Sequence, residues 1–147
     1  MTIETDKLVI AIEYLNTAST LWLYEVSYFS ALHLAAAAEE LSGKACRIAK
    51  INSHFDDLRL RVRNMLSAVG IEHSEKQLKD AFYGAKNAIK HMDSRNDAVV
   101  NIDARKESAD LIESAYRNLE KLGLQDEVSE TVRRVIDSNA LHIKENA

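Results

Sequence analysis

The chain has 147 residues, enough for one domain with its own core, and neither a composition shift nor a Pro/Gly/Ser-rich linker divides it. Proline is absent and glycine occurs four times, while alanine, leucine, glutamate and lysine are plentiful, so the composition points to an all-α fold and away from sheet architectures. The net charge of −4 argues against a general nucleic-acid coat protein but leaves room for a local basic patch that holds phosphate.

Thr5 or Asp6 can cap a first helix with Leu8, Ala11, Ile12 and Leu15 on its apolar face, ending near the polar run Asn16 to Thr20. A long second helix is expected from about Leu21 to Lys50, entered through a bend near Ser19. One of its faces carries only small residues: Ala31, Ala35, Ala38, Ser42, Ala45 and Ala49. Such a seam lets a partner backbone come close, which places the helix centrally in a bundle or at a subunit contact. His33, Glu40, Lys44 and Arg47 on the opposite face read as surface charges.

Asn52 or Ser53 caps a third helix, where Phe55, Leu58, Val62, Met65, Leu66 and Val69 keep a three-four period up to a left-handed stop at Gly70. Arg59, Arg61 and Arg63 lie on it with Asp56 and Asp57 nearby, the pattern of a solvated face. Ser74 and Gln77 form a capping box that opens a fourth helix. Its expected core face is Leu78, Ala81, Phe82, Ala85, Ala88, Ile89 and Met92. Lys79, Lys86 and Lys90 follow one flank, and Asp80, Gly84, Asn87 and His91 make a polar row with each residue over the next. A mid-helix glycine costs about 1 kcal/mol relative to alanine, so Gly84 suggests a close approach to the backbone beside Asn87 and His91.

The segment from Asp93 to Asp103 reads as a structured loop tucked onto the bundle with Val99 and Val100 inside. Asp103 caps a fifth helix whose apolar row runs from Ser108 through Leu111, Ile112, Ala115, Tyr116 and Leu119 to Leu122, closed by Gly123 and Leu124. Asp126 begins a last helix with Val128, Val132, Val135, Ile136 and Ile143. The whole chain, 1–147, is thus expected to be one helical-bundle domain with its core in 5–124 and an accessory C-terminal helix over 126–143.

No apolar run approaches the roughly 20 residues that span a bilayer, and MTIETDK lacks a basic segment followed by an apolar one, so a cytoplasmic protein without membrane contact is expected. Cys46 is the only cysteine, which rules out a disulfide framework within one chain and marks a buried structural thiol. None of the five histidines has a glutamate three residues before it, which excludes a ferritin-like di-iron bundle. His-Glu-x-x-His, Walker and Gly-x-Gly-x-x-Gly motifs are all missing. What remains is Lys86-Asn87-x-x-x-His91: a histidine that can move protons near neutral pH and ammonium groups that can stabilise phosphoryl charge.

YFSALHLAAAAEELSGK, the following AKNAIKH helix, an acidic loop and ADLIESAYRNLEKLGL together resemble the helical bundles of the HEPN (higher eukaryotes and prokaryotes nucleotide-binding) family, over roughly Leu8 to Leu124. The resemblance implies an antiparallel bundle of five to six helices and a homodimer. It also implies a bacterial-type, metal-independent endoribonuclease, often a toxin or defence effector, that needs no cofactor and has RNA, a nucleotide or a protein partner such as an antitoxin. The family signature is Arg, a polar residue, then His after four to six residues, which here falls on Lys86, Asn87 and His91, with Asp80 and Lys90 as neighbouring binding residues. Lys86 departs from it, because lysine keeps the charge but lacks the planar fork that grips phosphate at two points. Two classes follow: a weak or degenerate nuclease in which His91 assists attack of an RNA 2′-hydroxyl, or a non-catalytic dimeric module that binds a ligand or partner.

Overall fold

Side-chain caps fix most of the helix starts. In the computed structural model, which describes residues 1–147, six α-helices run in sequence and no strand forms. They are α1 (Lys7–Leu23), α2 (Tyr28–Ile48), α3 (His54–Ala68), α4 (Glu75–Ala88), α5 (Ala104–Lys121) and α6 (Glu130–Glu145). Asp6, Ser27, Ser53, Ser74 and Asp103 each accept a hydrogen bond from a first-turn amide, and Ser53 and Ser74 complete capping boxes with Asp56 and Gln77. Gly70 and Gly123 end α3 and α5 at φ +72° and +75°, where the amides of Ile71 and Leu124 reach back to Leu66 O and Leu119 O.

The first boundary differs from the expected one. α1 does not bend near Ser19 but continues to Leu23, because Ala18, Ser19 and Trp22 extend its buried face. The polar run finds partners within α1 and at the start of α6: Ser19 Oγ donates to Leu15 O at 2.9 Å, and Asn16 Oδ1 accepts the amide of Ser129 at 3.0 Å. The chain breaks instead at residues 24–27, where Glu25 takes φ +54° and Ser27 caps α2.

α1, α2, α5 and α6 make the core, with Leu15, Leu32, Ile112, Leu119, Val132 and Val135 fully buried. Burying a side chain of this size stabilises by about 1.5–3 kcal/mol, so the buried valines tie α6 to the core; the helix starts at Glu130, after a 3-10 turn at Gln125–Glu127, rather than at Asp126. The small-residue seam is closed within the chain. Ala31, Ala35, Ala38 and Ser42 are buried, α5 is the most extensive neighbour of α2, and only Ala49 at the far end is exposed. Asn118 of α5 joins three elements: its Nδ2 donates to Ser42 Oγ at 3.1 Å, its Oδ1 accepts from the His54 amide at 2.7 Å, and its carbonyl accepts from the buried Cys46 thiol at 3.5 Å.

α3 and α4 project from this core. α3 reaches it through Phe55 and the Asn118 bond, leaving Met65 and Val69 about two-thirds exposed. α4 stops at Ala88, with Ile89 as its C-cap, so His91 and Met92 lie beyond the helix, and Met92 is exposed rather than part of a core face. Val99 and Val100 also face solvent; in the segment before α5, which contains one 3-10 turn at Arg95–Asp97, it is Ile102 that packs on the core. No helix is long and apolar enough to cross a membrane.

Candidate functional site

The polar residues of α4 face a groove of about 600 Å³ between the C-terminal half of α2, the first turns of α3, and α4. Its orientation follows from α4's stripe of Lys79, Tyr83 and Lys86, spaced so that all three turn toward α2, with Lys90 just past the helix end. This stripe, with the lower half of the row Asp80–Gly84–Asn87–His91, lines the groove. Asn87 and His91, from the lower end of that row, line it as well, while Asp80 is exposed and stands outside the lining. Asn87 and His91 share no hydrogen bond, because the helix that would stack them ends between them. Gly84 has open space where a Cβ would stand, so nothing in the chain approaches its backbone.

Six cations, Lys44, Arg47, Arg59, Lys79, Lys86 and Lys90, line the groove against three carboxylates, Glu39, Glu40 and Asp56. Arg47 grips Asp56 with Nε to Oδ2 at 3.1 Å and Nη2 to Oδ1 at 3.3 Å, and Arg59 Nη1 meets Glu75 Oε2 at 2.9 Å. Burial works against the Asp56 charge, but hydrogen bonds from Arg47 and Ser53 outweigh it and hold the carboxyl below the usual range. The Arg59 patch and the Lys86 flank, separate in the sequence, therefore meet at one groove, while Arg63 pairs with the other oxygen of Glu75 at 3.3 Å. Lys79 and Lys90 are exposed and make no ion pair.

At the groove floor Glu39 is 2% exposed and accepts from the Tyr83 hydroxyl at 3.1 Å, while the Lys86 ammonium lies 4.2 Å from the centre of the Tyr83 ring. Burial raises the Glu39 pKa, and Lys86 and the Tyr83 hydrogen bond oppose that rise. The same burial lowers the Lys86 pKa against the pull of Glu39 and Glu40, and lifts the Tyr83 phenol well above its ordinary value. Lys86 thus lies over the Tyr83 ring, half-buried, rather than held out toward solvent. His91 is exposed, and no carboxylate or carbonyl orients its ring. No three His, Cys, Asp or Glu side chains converge as metal ligands would.

No protein-family model, curated protein or solved structure matches the chain. The groove is therefore read from its own chemistry. Two guanidinium groups held in place by carboxylates and two unpaired lysines suit an anion with several oxygens. Proton transfer is less well served, since the one histidine in the groove lacks the partner that would fix its tautomer.

Glu39 and Tyr83 escaped the sequence reading, and Arg47 and Arg59 entered it only as surface charges. For Glu39 there was a signal: in the run AAAAEE it lies four residues after Ala35 and three before Ser42, on the seam that faces the core. The two arginines meet through Asp56, which pairs with Arg47 at 3.1 Å and lies 3.9 Å from Arg59, a pairing across the α2–α3 turn that no helix-spacing rule gives.

Proposed function

We propose that the chain is a HEPN-like binding module whose groove between α2, α3 and α4 holds a phosphate-bearing ligand, a nucleotide or a stretch of RNA, and that any endoribonuclease activity is weak or absent. The excess of cations lining the groove carries this reading. Clefts lined by one sign of charge concentrate counter-charged ligands, and preorganised guanidinium groups bind phosphate oxygens at two points. Weak catalysis follows from Lys86, which stands where the family signature has arginine and lies over the Tyr83 ring, and from His91, which lacks an orienting partner.

The test is a labelled RNA followed by both filter retention and gel. Wild-type protein is expected to retain RNA and to cut it slowly or not at all, and Lys86→Arg to raise any residual cleavage by restoring the two-point contact. Efficient cleavage that His91→Ala abolishes would contradict the binding reading. Cleavage that survives His91→Ala would remove His91 from any catalytic role. Pairing of two chains is a separate expectation, which rests on the open surface beside Gly84 now that α5 fills the α2 seam. A monomer in sedimentation equilibrium at micromolar concentration would end it.

A further inference from the structure

On the other side of the Tyr83–Phe55 wall lies a second cleft, of about 470 Å³, between the α3–α4 pair and the first half of α5. Its character is opposite to that of the groove. Phe55, Phe82 and Tyr83 form an aromatic side, with Phe55 and Phe82 edge to face at 5.2 Å and Phe55 tilted on Tyr83 at 4.5 Å. Glu39 lines this cleft too, and four carboxylates, Glu39, Glu107, Asp110 and Glu113, stand against one cation, Lys106.

The charges are not equally engaged. Asp110 binds Lys106 at 2.6 Å and Glu113 binds Arg117 at 3.3 Å, whereas Glu107 makes no ion pair or hydrogen bond although it is half-buried. Glu39, almost fully buried, offers one oxygen to Tyr83, and its other oxygen has no hydrogen-bond partner. Burial also holds the His54 imidazole below its ordinary pKa, so it adds little positive charge to the cleft near neutral pH.

We infer that this cleft binds a small protonated amine with an aromatic or aliphatic body, the ammonium meeting Glu39 or Glu107 and the body lying against the aromatic side. Aromatic faces attract cations and apolar bodies alike, and unpaired carboxylates in a partly enclosed cleft gain most from an incoming cation. The volume falls within the range of small-molecule sites, about 300–1,000 Å³. The cleft has the wrong sign for the phosphate ligand of the groove, so the two proposals stand or fall separately.

The probe is 2-phenylethylamine, titrated into the isotopically labelled chain and followed by amide chemical shifts, with 2-phenylethanol as its neutral counterpart. Shifts are expected around Phe55, Phe82 and Glu107, with the alcohol weaker by about tenfold or more, a difference of about 1.4 kcal/mol. Glu107→Gln, at a side chain with no partner to lose, is expected to weaken the amine about fivefold or more while leaving the alcohol unchanged. Lys144→Glu, at an exposed side chain of α6 away from both clefts, is expected to leave both unchanged. Equal binding of amine and alcohol, shifts located elsewhere, or no shifts up to about 10 mM amine would each overturn the assignment.

Discussion

Asn118→Ala is expected to loosen α3, and with it the groove, without replacing any groove residue. Asn118 is fully buried, and its Oδ1 accepts the amide of His54 at 2.7 Å. His54 is the first residue of α3, and its amide has no partner within the helix. The truncation leaves that amide and the Ser42 hydroxyl without this partner, although Ser42 keeps its own donation to Glu39 O at 3.2 Å. An orphaned buried group costs about 1–3 kcal/mol, and the void left beside Gly43, where a Cβ would sit 3.5 Å from Asn118 Nδ2, adds to it. The sum is about 2–4 kcal/mol, and at about 2–4 °C per kcal/mol for a chain of this size it lowers Tm by about 5–15 °C. Urea unfolding followed by circular dichroism measures the loss, and hydrogen exchange is expected to quicken more in the first turn of α3 than in α5. A loss below about 0.5 kcal/mol, the level usual for surface changes, would show that Asn118 does not hold α3.

Gly84→Ala is expected to stabilise the chain by about 0.5–1 kcal/mol, because an exposed helical glycine gives way to the best helix former and the added Cβ meets nothing within 4 Å; destabilisation, measured by thermal unfolding, would reveal a close contact at that face. Glu39→Gln should flatten the pH profile of stability. Burial raises the folded pKa of Glu39 above its unfolded value, so the native state holds its proton more tightly and stability falls as pH climbs from about 4.5 through the raised value, then stays lower. Glutamine removes that decline while an amide oxygen can still accept from Tyr83, and a decline of equal size in the variant would clear Glu39 of it. Asp56, whose pKa is depressed, acts in the other direction: its contribution is present above the unfolded carboxylate value and is lost as pH falls through the folded one.

Much of the bundle was legible because its signals are local. The caps at Asp6, Ser53, Ser74 and Asp103 and the stops at Gly70 and Gly123 need only a few neighbouring residues, and each stands where its residue types put it. The misplaced boundaries fall where local rules compete with packing. Asn16 to Thr20 looked like a helix end, yet their polar groups find partners in α1 itself and at Ser129, while Ala18, Ser19 and Trp22 stay buried. The periodicity of α4 runs on to Met92, but the helix stops at Ala88: its C-cap Ile89 still packs on the core, whereas Met92 has no neighbour to cover it. The site was legible only in half. Lys86, Asn87 and Lys90 could be picked out on one helix, whereas Arg47, Arg59 and Glu39 join them through long-range packing that no spacing rule encodes.

The most direct test of the groove is binding of a fluorescent eight-nucleotide single-stranded RNA by anisotropy, across a salt series, to wild type and to the Lys79→Glu/Lys90→Glu variant. Both lysines are exposed and unpaired, so the variant should fold as the wild type does. Each phosphate neutralised adds about −0.7 to the slope of log K against log salt for a single strand. The wild type is expected to bind with a slope of about −2 or steeper, and the variant to bind at least about tenfold more weakly with a slope shallower by about 1.4. A wild type that fails to bind at low salt, or a variant that binds with undiminished affinity and slope, would contradict the assignment of the groove.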